Sequence, residues 1–280
     1  MLINYGSPAH IMYILIAVGI VFALYMVFRK KSEKSQKILI YAIMAVNIAQ
    51  HLFKSLIYPQ HFGEGFNALN TAYNTCALLI LISPLAMLLK CKHIKDYVFY
   101  IGSAAGLVAL CVPYWHIGKS AFSWDVYRFF FCHALLLASS ALPLLFGFHK
   151  ASYKRAPLFP LYFFGGVSLI ILNDIICVKL GIYIGAENLT LIDALYFANP
   201  TWSFGPPEAF AGLLLPICEA LTPGFMMYTK LGRCVPLLWY FIPLYILITL
   251  LAFALLAPLD SKNLKNDFEG LKKKIKNRQK

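Results

Sequence analysis

Charge is what this chain has least of: 12 acidic and 25 basic side chains are spread over 280 residues, 60% of which are apolar. A water-soluble globule of that size needs more polar side chains to cover it, so that class is excluded and lipid has to solvate much of the surface. The compact signatures of soluble-enzyme chemistry are also missing. There is no CxxC pair, HExxH helix, Walker loop or GxSxG elbow, and the HxxxxD pattern of one class of glycerolipid acyltransferases is absent too. No internal repeat or low-complexity linker divides the chain. The seven cysteines are odd in number and fall mostly in apolar runs, where a free thiol behaves as a small apolar residue, so they say little about redox compartment. No cofactor or metal ion is expected.

What is present is a series of long apolar runs. A hydrocarbon core takes roughly 17–25 helical residues to cross, and runs of that kind fall at 9–28, 38–57, 67–89, 97–114, 126–147, 158–179 and 235–257. The expected fold is therefore all-α, a polytopic transmembrane helical bundle of about seven spans. The first run ends at Arg29, Lys30 and Lys31 with no small-residue cleavage site, and reads as a retained span. The loops after runs one, three and five, with the tail, hold 19 of the 25 basic residues. Cations collect on the cytoplasmic side. This places the amino terminus outside, the carboxyl terminus in the cytoplasm, and the chain in a membrane that we expect to be the bacterial cytoplasmic one. The net charge of +13 is then a sidedness signal, and no nucleic-acid partner is expected.

Residues 1–259 form the expected bundle, and 260–280 a basic cytoplasmic tail. Within the bundle, 188–229 is expected to be a non-spanning or re-entrant outer segment. Pro206, Pro207, Pro216 and Pro223 break 205–229 too often for a lipid-facing helix, and Glu208 and Glu219 are costly there. In the tail, Leu264, Phe268, Leu271 and Ile275 recur at helical spacing among lysines, which suits a helix on the anionic cytoplasmic leaflet or, equally, a solvated tail. Gly102 and Gly106 form a GxxxG, expected to pack closely inside the bundle.

Polar side chains inside hydrocarbon are expensive and are functional candidates by default. At about 1.5 Å of rise per residue, His51 lies roughly 9 Å, Cys76 roughly 13 Å and His133 roughly 10 Å below the outer ends of their runs. Asn173 and Asp174 share that outer-half layer. Two imidazoles, a thiol, an amide and a carboxylate at one depth offer a nucleophile and a base. Each also has a plain structural role: Cys76 as a packing residue, His133 as a hydrogen-bonded core histidine, His51 on a polar stripe with Asn47 and Lys54, and Asn173 and Asp174 as bridges between helices. Arg128, a turn outward of Cys132, either holds a phosphate or meets headgroups as a span-end cation.

Asn74-Thr75-Cys76 opening an apolar helix that reaches Ser83-Pro84 resembles an element of the YwaF-type bacterial membrane proteins and their eukaryotic relatives, the transmembrane protein 164 family. Phe130-Phe131-Cys132-His133 is similar to that family's histidine helix. The block from Tyr196 to Pro200, followed by Trp202 and Phe204-Gly205-Pro206, is similar to its proline and aromatic stretch. The resemblance runs over most of the chain, with Thr75 and Ala77 standing where the relatives often have proline and histidine. It implies acyl transfer between glycerophospholipids, with Cys76 as nucleophile and His133 as base. A more distant branch, the androgen-induced lipid hydrolases, pairs threonine with histidine.

The expected activity is thus a membrane lipid acyltransferase or acyl hydrolase working on a phospholipid or lysophospholipid. In it Asp174 would orient an imidazole, Asn74 or Asn173 would stabilise an oxyanion, and Asn47, Arg128 and Trp202 would help to hold substrate. The alternative from the same residues is a small-solute transporter or channel, although no inverted repeat is visible. A heptahelical receptor shares the topology, and the last run, 235–257, carries no lysine for a retinal Schiff base. A scaffold would need none of the intramembrane histidines.

Overall fold

The computed structural model describes residues 1–150, 152–183, 189–199, 201, 203–204, 216–217, 219–220, 222–230, 233–236 and 241–278. They are overwhelmingly helical. Five helices are long and apolar enough to cross a membrane, or six if a bent pair near the carboxyl terminus counts as one span. These make the chain a helical integral membrane protein.

The first helix, α1 (Pro8–Phe28), starts where Ser7 accepts a hydrogen bond from the backbone N–H of His10 and where Pro8 presets the first turn. Ser32 caps α2 (Glu33–Ile57) in the same way. After a one-turn helix, α3 (Pro59–Phe62), comes α4 (Thr75–Leu88), capped by Asn74, whose Oδ1 accepts from the Ala77 N–H at 2.9 Å. Next is a composite rod. It begins with α5 (Lys92–Lys95), widens through a π-helical turn at Asp96–Ile101, and ends as α6 (Gly102–Cys111). Two long helices follow, α7 (Trp124–Leu145) and α8 (Phe159–Lys179), and then the short α9 (Leu191–Ala198).

Two compact units divide the chain. One holds residues 1–149 and 166–201, the other 150–165 and 202–280, with the boundary inside α8. In the first unit α7 is the hub, packed against α1, α2, α4 and α6. It is also the most buried candidate span: 61% of its apolar window is inside the protein, against 11% for α1, which leaves α1 as the helix most open to lipid. Gly102 and Gly106 let α6 lie directly on α7. A Cβ on Gly106 would stand 3.0 Å from the Leu137 backbone nitrogen, and one on Gly102 would collide with the Ser140 hydroxyl. The expected close packing is what the GxxxG does here.

The first unit has two ends. At one, His149 Nε2 meets Asp96 Oδ1 at 2.6 Å, and Lys37 lies over the Phe148 ring, so the three basic loops that follow α1, α4 and α7 gather together. At the other, Ile3 exchanges backbone hydrogen bonds with Gly118 and Lys119, and the Ala68 N–H donates to Ile182.

The second unit contains a β-hairpin, Met227–Lys230 paired with Arg233–Pro236, and an apolar helix, Phe241–Leu259. A bend of 100° then leads to the tail helix Ser261–Arg278, whose Phe268, Leu271 and Ile275 are exposed. The tail is thus helical, as one of its two readings requires.

Two expected spans need correction. The run 67–89 is not one helix: α4 has 14 residues, about 21 Å, short of a hydrocarbon core of roughly 30 Å. The amides of 67–74 hold a capped loop instead. Asn67 Nδ2 donates to the Phe62 carbonyl at 2.8 Å, Asn70 Nδ2 to the Leu52 carbonyl at 2.9 Å, and Ser55 Oγ to Asn70 Oδ1 at 2.9 Å. Side-chain amides that close turns compete with helix in this way. The last run begins at Phe241 rather than 235, because Val235 and Pro236 belong to the hairpin. Among the described residues, five helices, or six with the bent pair, are by themselves long and apolar enough to cross. Most of 205–221 lies outside the described residues, so its expected re-entrant course does too.

Candidate active site

On α7 the sequence Phe129-Phe130-Phe131-Cys132-His133 turns His133 into the bundle, where it is buried. Its Nδ1 lies 2.8 Å from the Phe129 carbonyl oxygen. An unprotonated nitrogen at that distance would set two lone pairs against each other, so Nδ1 carries the proton and donates it. In the neutral ring, Nε2 is then the bare, basic nitrogen. The Cys132 thiol, 3.3 Å from the same carbonyl and 3.4 Å from Nδ1, sits on the protonated edge of the ring.

Cys76 arrives from another helix. The cap at Asn74 starts α4 two residues before it, and its half-buried thiol comes within interaction reach of the same imidazole. The two candidate residues, from α4 and α7, thus lie close enough to act on each other. Asn74 uses its carbonyl oxygen on its own helix cap. Asn47 donates to the Cys132 carbonyl at 3.3 Å and accepts from Gln50 at 2.7 Å, which ties α2 to α7 beside the histidine.

A second group forms around Thr71. Its carbonyl accepts from His51 Nε2 at 2.9 Å, and its hydroxyl accepts from Asn173 Nδ2 at 2.8 Å. Asn173 also reaches Asp174 Oδ1 at 3.3 Å, while Asp174 Oδ2 is buried without a hydrogen-bond partner among the described residues. His51 lies parallel to the Tyr73 ring, 6.2 Å between centroids. His51, Asn173 and Asp174 are thus gathered on the 71–74 loop. The acceptor that orients His133 is the Phe129 carbonyl.

Between these groups lie two cations. Lys54 is buried at 2% exposure with its ammonium 4.6 Å from the Tyr73 centroid and 5.5 Å from that of Phe62. The Arg128 guanidinium stands 4.4 Å over the other contact of that ring pair, Phe62, and its Nε is buried without a hydrogen-bond partner among the described residues. The carboxylate nearest along α7, Asp125, is engaged elsewhere. It takes His61 and His116, each at 3.1 Å, and Lys119 at 2.6 Å, and so pins α3 and the 114–119 loop to the start of α7.

Trp202 lies outside the described residues. Among the described residues no three metal-ligating side chains come together. Sequence reasoning passed over Tyr73, Phe62 and the second thiol at the imidazole. Neighbours i and i+1 on a helix do not ordinarily face each other, so helical spacing gives no signal for a Cys132–His133 contact. The available signal was Lys54, since an intramembrane lysine needs a partner and aromatic rings supply one here.

No protein-family model, curated protein or solved structure matches this chain.

Proposed function

We propose that the chain is a phospholipid acyltransferase or acyl hydrolase of the YwaF and transmembrane protein 164 kind, with Cys76 as nucleophile and His133 as general base. One observation carries this reading: two thiols flank an imidazole whose Nδ1–H is committed to the Phe129 carbonyl. Only Nε2 can then take a proton. Cys132 borders the nitrogen that already holds one, whereas Cys76 comes from a different helix and is the more exposed of the two thiols.

In the proposed reaction Cys76 Sγ attacks the carbonyl carbon of an acyl ester as its proton passes to Nε2. The C–O bond breaks, the imidazolium returns that proton to the departing lysolipid hydroxyl, and a thioester remains on Cys76. A second lysolipid hydroxyl, or water, loses its proton to Nε2 and displaces the thiol, which regains the proton. Asn47 steadies the α7 backbone beneath the histidine. His51, Asn173 and Asp174 shape the 71–74 loop that sets the start of α4, and so position Cys76.

The proposed topology is seven crossings with the amino terminus outside and the tail in the cytoplasm of a bacterial cell. The third crossing combines the buried 67–74 loop with α4, since non-helical backbone is tolerated at membrane depth where protein surrounds it. The tail helix, with its exposed Phe268, Leu271 and Ile275 among lysines, then rests on the anionic leaflet.

The test uses purified protein in proteoliposomes containing a phospholipid with a labelled acyl chain, with products read by mass spectrometry. Wild type should yield lysolipid or transferred chain, and an acyl adduct on Cys76. Cys76→Ala should lose about 10³-fold or more in rate, as removal of a nucleophile does. Full turnover by Cys76→Ala would end the proposal.

A further inference from the structure

We propose that Lys54 and Arg128 form a binding site for the phosphate of a lipid headgroup, entered sideways from the bilayer between α2 and α7. This deepens the reading above and rests on it only for placing the phosphate next to an acyl ester.

The argument starts from electrostatics. Lys54, which is buried, and Arg128, which is half-buried with its Nε inside, lose hydration and repel each other when charged, and such a pair persists where something compensates. Asp125, the carboxylate a turn away, is already shared by His61, His116 and Lys119, and no ion pair to Lys54 or Arg128 occurs among the described residues. Rings of Phe62 and Tyr73 take one side of the two cations. The buried Nε of Arg128 is left over, a donor without a partner among the described residues. A tetrahedral oxyanion supplies acceptors for a guanidinium fork and an ammonium at once.

The space for it exists. A cavity of about 180 Å³ is lined by Gln50, Lys54, Ile57, Trp124, Tyr127, Arg128 and Phe131. Ile57, Trp124, Tyr127 and Phe131 are exposed, so its mouth is an aromatic and aliphatic rim of the kind that faces acyl chains and the membrane interface. A soluble anion would meet an apolar barrier there; a lipid would slide its headgroup along it. Arg128 precedes His133 by five residues of α7, about 7.5 Å of rise, which is on the scale of a glycerol backbone between its phosphate and its ester.

The test is binding, not turnover, so its failure is separate from failure of the acyl-transfer reading. Delipidated full-length protein in detergent is titrated with dioctanoyl phosphatidylglycerol, with dioctanoylglycerol, which lacks the phosphate, and with inorganic phosphate, using native mass spectrometry and thermal melts. Wild type should bind the phospholipid about tenfold or more tighter than the diacylglycerol, the scale of a charge-assisted contact. Arg128→Gln and Lys54→Met should each lose most of that preference, Arg128→Lys part of it, and Cys76→Ala none. Equal affinity for the two lipids would overturn the proposal. So would inorganic phosphate binding as tightly as the phospholipid, which would mark a free-anion site. Should Lys54→Met fail to melt cooperatively, the wild-type ligand comparison and Arg128→Gln decide alone.

Discussion

In the proposed reaction His133 takes the proton on one ring nitrogen, and the Phe129 carbonyl orients the ring by holding the other. The consequence is asymmetric for the two thiols beside the ring. Cys132→Ala removes a contact to the protonated nitrogen and a weak donor to the Phe129 carbonyl. It should leave turnover within about threefold of wild type, since neither contact carries the proton that moves. Comparison of its lipid products with those of Cys76→Ala checks this; inactivation by Cys132→Ala alone would move the nucleophile to that position. The sequence announced Cys76 and His133 because polar groups at matching depth stand out in apolar runs. It could not announce Phe129, whose contribution comes from its backbone and leaves no trace in residue identity. Asp174 was the expected orienting group because a carboxylate is visible in a sequence and a carbonyl is not.

At the scale of elements, the helices α1, α2, α7 and α8 were legible to within a few residues, because long apolar runs with a capping serine or a basic terminus admit few other structures. The third run misled because hydropathy averages over asparagines. Asn67, Asn70 and Asn74 each close a turn or cap a helix, and three such amides within eight residues shorten α4 by half a crossing. The α6–α7 contact, by contrast, was written plainly in Gly102 and Gly106. Gly106→Leu has to push its side chain into the Leu137 backbone, which cannot yield as a side chain would. It should cost about 1–3 kcal/mol and lower the melting temperature in detergent, with α7 displaced. An unchanged melt would mean that the two helices are looser than their packing implies.

For the molecule as a whole, sidedness is testable with native thiols. Cys91 and Cys111 are exposed at opposite ends of the α5–α6 rod. In single-cysteine variants on intact cells, an impermeant maleimide should label Cys111 directly and Cys91 only after permeabilisation. The reverse pattern would invert the proposed topology. In the second unit the tail helix is fastened by Asp267, which takes Lys154 at 2.6 Å and the Tyr153 hydroxyl, while Asp260 accepts from the Tyr153 N–H at 3.2 Å. Lys154 and then Tyr153 hold the Asp267 carboxyl below its ordinary value of 3.8. A depressed carboxyl stabilises docking above that ordinary value, and the contribution disappears as pH falls through the lower, folded value. Protection factors of 261–278, taken relative to intrinsic exchange at each pH, should therefore be larger at neutral pH and fall on acidification below about 4, and Asp267→Asn should have the smaller protection at both. Finally, the π-helical turn at Asp96–Ile101 holds more residues per turn than its neighbours. Deleting one of Val98, Phe99 or Tyr100 would tighten it to an ordinary turn and leave Gly102 and Gly106 still seated on α7.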